Sequence, residues 1–100
     1  MNIEKINEDN RITLSVDGWL DTASAPLLGE EIEKIDAADA ITLDFDKVEY
    51  IASSGVRMVV AAYRKAKDLG ADYKVINVSP ELMNIFRMTQ LDQKMNIQAK

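Results

Sequence analysis

Two adjacent serines, Ser53 and Ser54, carry the sharpest chemical signal in the chain. They stand where a strand pattern gives way to a helix pattern, and Gly55 follows them directly. A hydroxyl at such a junction can accept a bond from an unpaired N–H of the first helical turn, so one of the two is expected to cap the helix. The same place favours anions, because free N–H groups and the helix dipole both attract negative charge. A serine there can therefore carry a phosphate without unfolding its helix. The modification would add roughly −1.5 to −2 charges at pH 7 and change the sign of the local surface, so that repulsion and desolvation expel a docked partner. This is the chemistry of a switched binding module.

Catalysis finds less support. The chain has neither histidine nor cysteine, which removes Ser-His triads, thiolate nucleophiles, disulfides and the usual nitrogen–sulfur zinc sites. No Ser-x-x-Lys spacing occurs, and the isolated Gly55 and Gly70 form no phosphate-cradling loop. Asp44, Asp46 and Glu49 make a small acidic group. Asp44 and Asp46 share one strand face without calcium-loop spacing, so they read as solvent-facing rather than as metal ligands. No metal and no cofactor is expected. A pocket built from Asp21, Asp44 and the Ser53 helix mouth is the remaining ligand-binding alternative. The net charge of −5, with scattered basic residues, argues against nucleic acid as a partner. No stretch approaches the about 20 apolar residues of a membrane span, and Met1–Lys5 lacks the apolar run of a signal peptide. The expectation is a cytoplasmic protein with no membrane partner.

These residues must be held by elements, and the periodicities supply them. At 100 residues, 47% hydrophobic and 29% charged, the chain has the make-up of one globular domain over residues 1–100. Residues 3–8 and 11–16 read as strands joined at Asp9-Asn10, an antiparallel hairpin whose second strand ends at Asp17-Gly18. Asp21 or Thr22 is expected to cap a helix running to about Ile35 or Ala37, with Pro26 in its first turn. Ile41, Leu43 and Phe45 alternate with Thr42, Asp44 and Asp46 in a central strand. Val56, Val59, Val60, Tyr63 and Ala66 then recur at helical spacing, and Gly70 stops that helix. Tyr73–Val78 is a strand. Ser79-Pro80-Glu81 opens a third helix with a cap, a first-position proline and a dipole-matched acid, and Val78 and Met83 are placed as a staple. Met95 and Ile97 mark a short edge strand. The order β-β-α-β-α-β-α-β predicts an α/β fold: one mixed sheet, parallel after the hairpin, with helices mainly on one face.

The chain resembles the STAS domain family, most closely the bacterial anti-sigma-factor antagonists, over nearly its whole length. Gly18–Ala25 resembles the family's early G-x-L-D segment, Leu43–Ile51 its central strand and turn, and Ala52-Ser53-Ser54-Gly55-Val56 its signature D-S-S-G-(L/V). Asn77–Leu82 with Thr89-Gln90-Leu91-Asp92 resembles the closing segment. The resemblance implies a non-enzymatic switch protein that binds an anti-sigma factor which is also a serine kinase. It implies phosphorylation of Ser53, with Asp21, Ser54 and Gly55 joining Ser53 at the partner-binding surface, and a serine phosphatase that resets the switch. ATP belongs to the kinase. Two positions depart from the pattern: Ala52 stands where the family usually has aspartate, and Gln90 replaces a glycine and should alter its turn. A STAS scaffold without the phosphorylation step is the alternative that Ala52 permits. The final helix commonly present in the family is absent or cut away after the last strand, which would leave part of a sheet face or edge less covered and is expected to favour weak homodimerisation.

Overall fold

The computed structural model describes all 100 residues. Its sheet has five strands in chain order: β1 (Asn2–Glu8), β2 (Arg11–Leu20), β3 (Ala40–Ile51), β4 (Asp72–Val78) and β5 (Asn96–Ala99). β1 and β2 pair antiparallel through a turn at Asp9 and Asn10, both with positive φ, as a tight hairpin requires. The remaining neighbours are parallel. Three helices make the crossovers: α1 (Ala25–Glu33), α2 (Ser53–Leu69) and α3 (Pro80–Met88). The expected element order and mixed sheet are both present.

The alternation read from sequence sorts the two faces. Ile12, Leu14 and Val16 of β2 lie beside Ile41, Leu43 and Phe45 of β3, and all six are buried. Val75 extends this apolar row onto β4, and Leu28, Val59 and Phe86 bring in the helices. The opposite face stays polar: Thr13, Ser15, Asp44, Lys74 and Asn96 line an open groove across the strands. A half-solvated sheet tolerates this because each strand turns only alternate side chains inward. Tyr73 shows how tightly the helices sit. Its hydroxyl donates to the Val59 carbonyl of α2 at 2.8 Å, and burial pushes its phenol pKa far up.

Three boundaries differ from expectation. β2 does not end at Asp17-Gly18. Gly18 takes φ +107°, a conformation open to glycine, and the strand continues through Trp19 and Leu20, which pair with Tyr50 and Ile51 of β3. Between Ser15 and Trp19, β3 spends two more residues than β2, because two bulges interrupt the ladder. α1 starts at Ala25, not after Asp21 or Thr22, since Asp21 and Ser24 close a turn of their own ahead of it. It also ends early, at Glu33. The Ile35 N–H bonds the Ile32 carbonyl instead of continuing the α-helical ladder, yet Ile35 stays buried. At the other departure, Gln90 adopts φ +60°, so it occupies the left-handed conformation a glycine would take at no cost, and the short helical turn Leu91–Gln93 follows.

The start of α3 matches the sequence reading. Ser79 accepts from the Leu82 N–H, Pro80 opens the helix and Glu81 lies in its first turn. Ser79→Ala should lower stability by about 1 kcal/mol, a fall in melting temperature of roughly 4–8 °C for a domain of this size. Calorimetry would measure it directly.

Candidate functional site

β3 delivers its last residues to the mouth of α2, and β2 delivers the loop beside it. The Ala52 N–H donates to the Leu20 carbonyl at 3.0 Å, so the end of β2 is tied to the residue just before the helix. Leu20 and Ile51 are register partners, both buried under the helices. Gly55 completes the joint. A Cβ built on it would lie 2.6 Å from the Leu20 carbonyl oxygen, 2.7 Å from Ile51 Cγ1 and 2.8 Å from Leu20 Cγ. No side chain fits there, which is a physical reason for glycine after the serine pair.

The serines sit differently from expectation. Neither caps the helix. Ala52 is the N-cap, in extended conformation, and its methyl group can accept nothing, so the α2 N-terminus has no side-chain cap. Ser53 and Ser54 are the first two helical residues. Their backbone N–H groups have no acceptor within the protein. Ser53 is exposed and its hydroxyl is free of intramolecular bonds, whereas Ser54 Oγ lies 3.3 Å from Thr22 Oγ1. Thr22 thus marks the neighbouring loop as part of the same rim.

Asp21 lies in that loop, one residue past Leu20, but its carboxylate serves the loop itself. Oδ1 accepts from the Ser24 N–H at 3.0 Å and lies 2.9 Å from Ser24 Oγ. Ser24 Oγ in turn accepts from the Asp21 N–H at 2.9 Å and sits 2.6 Å from the Trp19 carbonyl. The bond from the Ser24 hydroxyl, then that from its backbone N–H, holds the Asp21 carboxyl below the usual aspartate range. Ser24 is the residue the sequence reading missed. The Asp-x-x-Ser spacing was the available signal, since short polar side chains three apart close turns of this kind.

Asp44 and Asp46 take no part in this rim. Asp44 Oδ1 accepts from the Asp46 N–H and from Asn77 Nδ2, each at 3.0 Å. Asp46 pairs with Lys100 at 3.4 Å. The ligand pocket imagined from Asp21, Asp44 and the Ser53 mouth therefore does not form: Asp44 lines the open sheet face, and the groove at the mouth is lined by Thr22 and Ser54 with residues of α1 and α2. No three acidic side chains converge as metal ligands would. On the ends of β2 and β3 that lead to the mouth, Trp19 and Tyr50 form a cross-strand aromatic pair with ring centroids 5.1 Å apart. No helix is long and apolar enough to cross a membrane.

The chain is a small α/β domain whose central strand runs into a helix that opens at two serines. The STAS domain family model matches residues 2–100, and the chain belongs to that family. It is 28% identical to the anti-sigma-B factor antagonist of Bacillus subtilis (strain 168), covering all of this chain and 93% of that protein. An anti-sigma factor antagonist from Mycobacterium paratuberculosis superposes with a TM-score of 0.88 at 24% identity, covering 99% of this chain and 86% of the other. The Bacillus cell fate determinant SpoIIAA, in its phosphorylated form, gives 0.77 at 19% identity, covering 96% and 90%. These likenesses confirm the fold.

Two consequences can be measured. Gly55→Ala should destabilise the domain by about 1–3 kcal/mol, the usual cost of overpacking, because its methyl group meets the Leu20 carbonyl; urea titration reads the shift in midpoint. The Asp21–Ser24 turn carries a pH dependence of determined sign. A carboxyl whose folded pKa lies below its unfolded value of 3.8 gives its full stabilisation above that value and loses it as pH falls through the folded pKa. Asp21→Asn should therefore flatten the decline of stability below about pH 4, followed by thermal melts across pH 2–6.

Proposed function

We propose that this protein is an anti-sigma factor antagonist of the partner-switching kind. Unmodified, it docks an anti-sigma factor that is also a serine kinase, through a surface built from Asp21, Ser53, Ser54 and Gly55. Phosphorylation of Ser53 ends the complex, and a serine phosphatase restores it, all in the cytoplasm. The protein itself catalyses nothing, and ATP is the kinase's substrate. The observation that carries this reading is the Ser53 hydroxyl: exposed, unbonded, and set on the first residue of a helix whose leading N–H groups are unclaimed. The family membership and the anti-sigma-B factor antagonists among its relatives point the same way.

The mechanism follows from electrostatics. A phosphate on Ser53 Oγ would stand at the positive end of the α2 dipole, within reach of backbone donors that nothing else uses. The fold would keep its shape, because the new charge is compatible with a helix start. A partner packed over the uncharged hydroxyl would instead have to accommodate and desolvate about two added negative charges, and would leave.

Ala52 favours a second reading, a STAS scaffold that binds its partner without being modified. An aspartate at this position would cap α2 and lie beside the acceptor hydroxyl; the alanine does neither. Phosphosite mapping of the protein incubated with ATP in lysate of its own cells separates the two. The switch predicts one phosphate, on Ser53, and partner affinity lowered about tenfold or more by Ser53→Glu with an unchanged circular dichroism spectrum. An unmodified Ser53, together with binding indifferent to Ser53→Glu, would put the scaffold in its place.

A further inference from the structure

We propose that the Trp19–Tyr50 pair, flanked by Asp21 and Glu49, is the anchoring patch for the docked partner protein, and that the partner meets it with a basic side chain of the arginine type. The inference rests on the reading that a partner docks at the Ser53 mouth, and it assigns the contact that gives that docking its grip.

The pair is out of place on an isolated domain. Trp19, the chain's single tryptophan, is 56% exposed, and Tyr50 is 47% exposed. Both follow from the irregular β3 ladder. Gly18 pairs with Val48 and Trp19 with Tyr50, so Glu49 is an unpaired extra residue. The bulge turns Glu49 and Tyr50 outward in succession, while Val48 and Ile51 on either side stay buried. Strict alternation would put residues three apart on opposite faces; the bulge breaks it, so that Val48 and Ile51 are both buried. Bulges that re-aim side chains in this way concentrate next to functional sites.

The rings are tilted 42° to each other, and both residues keep about half their surface open to a visitor. They sit one strand position before Leu20 and Ile51, whose backbones lead straight to the loop and to Ser53. Tyr50 precedes Ser53 by three residues, at most about 10 Å of chain, so a partner covering the mouth is within reach of the pair. Tryptophan and tyrosine are the residue types on which interface energy concentrates, because they bury large rigid areas at little entropic cost.

Charge decides the chemistry of the visitor. Asp46 is engaged by Lys100, so its charge is offset. Glu49 forms no ion pair. Asp21 is held as the carboxylate by Ser24, whose hydroxyl also bonds the Trp19 carbonyl. Glu49 adjoins Tyr50 along β3 and Asp21 lies two residues past Trp19, so two carboxylates accompany the aromatic pair and favour a cationic visitor; a guanidinium can stack on a ring while bonding a carboxylate.

The test places the photo-crosslinking residue benzoylphenylalanine at position 19, at position 50 and, as a remote control, at exposed Asn84 of α3, in the full chain in its own cells. The expected result is an adduct at 19 and 50 but not at 84, mapped by mass spectrometry to a partner segment bearing arginine or lysine. With that partner purified, Trp19→Ala should weaken binding roughly 30-fold, Trp19→Phe much less, and Asn84→Ala less than threefold. Adducts no stronger than at position 84, adducts only to a second copy of this chain, or a crosslinked segment without a basic residue would overturn the proposal. Phosphate at Ser53 is scored in the same cells. A phosphate without the adduct sinks this inference alone; an adduct without the phosphate sinks the switch and leaves the anchor standing.

Discussion

The carbonyl of Leu20 holds the functional end of the molecule together. It accepts the Ala52 N–H and lies so close to Gly55 that only a residue without a side chain can pass. Through this one group, the end of β2 fixes where α2 begins. The position of α2 then decides where Ser53 stands, how far its hydroxyl projects, and that Thr22 can reach Ser54. Moving the joint by an ångström would shift every member of the rim at once, because each is attached to one of the two chains that meet there.

The arrangement joins a rigid floor to an open top. Beneath the joint, Leu20, Ile51 and Val59 belong to a core that admits almost no solvent. Above it lie unclaimed N–H groups, a free hydroxyl and two half-exposed aromatic rings. The loop between β2 and α1 is the intermediate layer, and its stiffness comes from the hydrogen bonds among Trp19, Asp21 and Ser24. A surface so supported can gain or lose a charged group without the fold having to respond, which suits recognition better than chemistry.

Much of this could be read from the sequence, and the failures have a common cause. The strands and helices were legible because their apolar periods differ, and Ser79-Pro80-Glu81 was legible because cap, proline and acid act within one turn. The family motifs located the Ser53 rim. What the sequence did not reveal were features fixed by contacts between segments. Gly18 reads as a stop, yet it is the point at which β2 passes a bulge, and only pairing with β3 makes the extra residues visible. Ser53 and Ser54 read as caps because serine is a preferred cap, but the helix starts before either can cap it: Ala52, tied to the Leu20 carbonyl at the end of β2, takes that place. Asp21 read as a cap for the same reason, and Ser24 claimed its carboxylate first. The exposure of Trp19 was hidden because an aromatic residue after a strand is ordinarily buried.

The sheet's strands lie side by side in the order in which they occur along the chain. That order has a consequence for the protein's birth on the ribosome. Each strand that leaves the exit tunnel finds its neighbour already made, beginning with the hairpin, and no strand must wait for a later one to be inserted between it and its partner. The growing edge is always the most recent strand, so the half-made domain exposes a single unfinished border at every stage of synthesis. Vectorial assembly of this kind keeps the interval between translation and the folded state short.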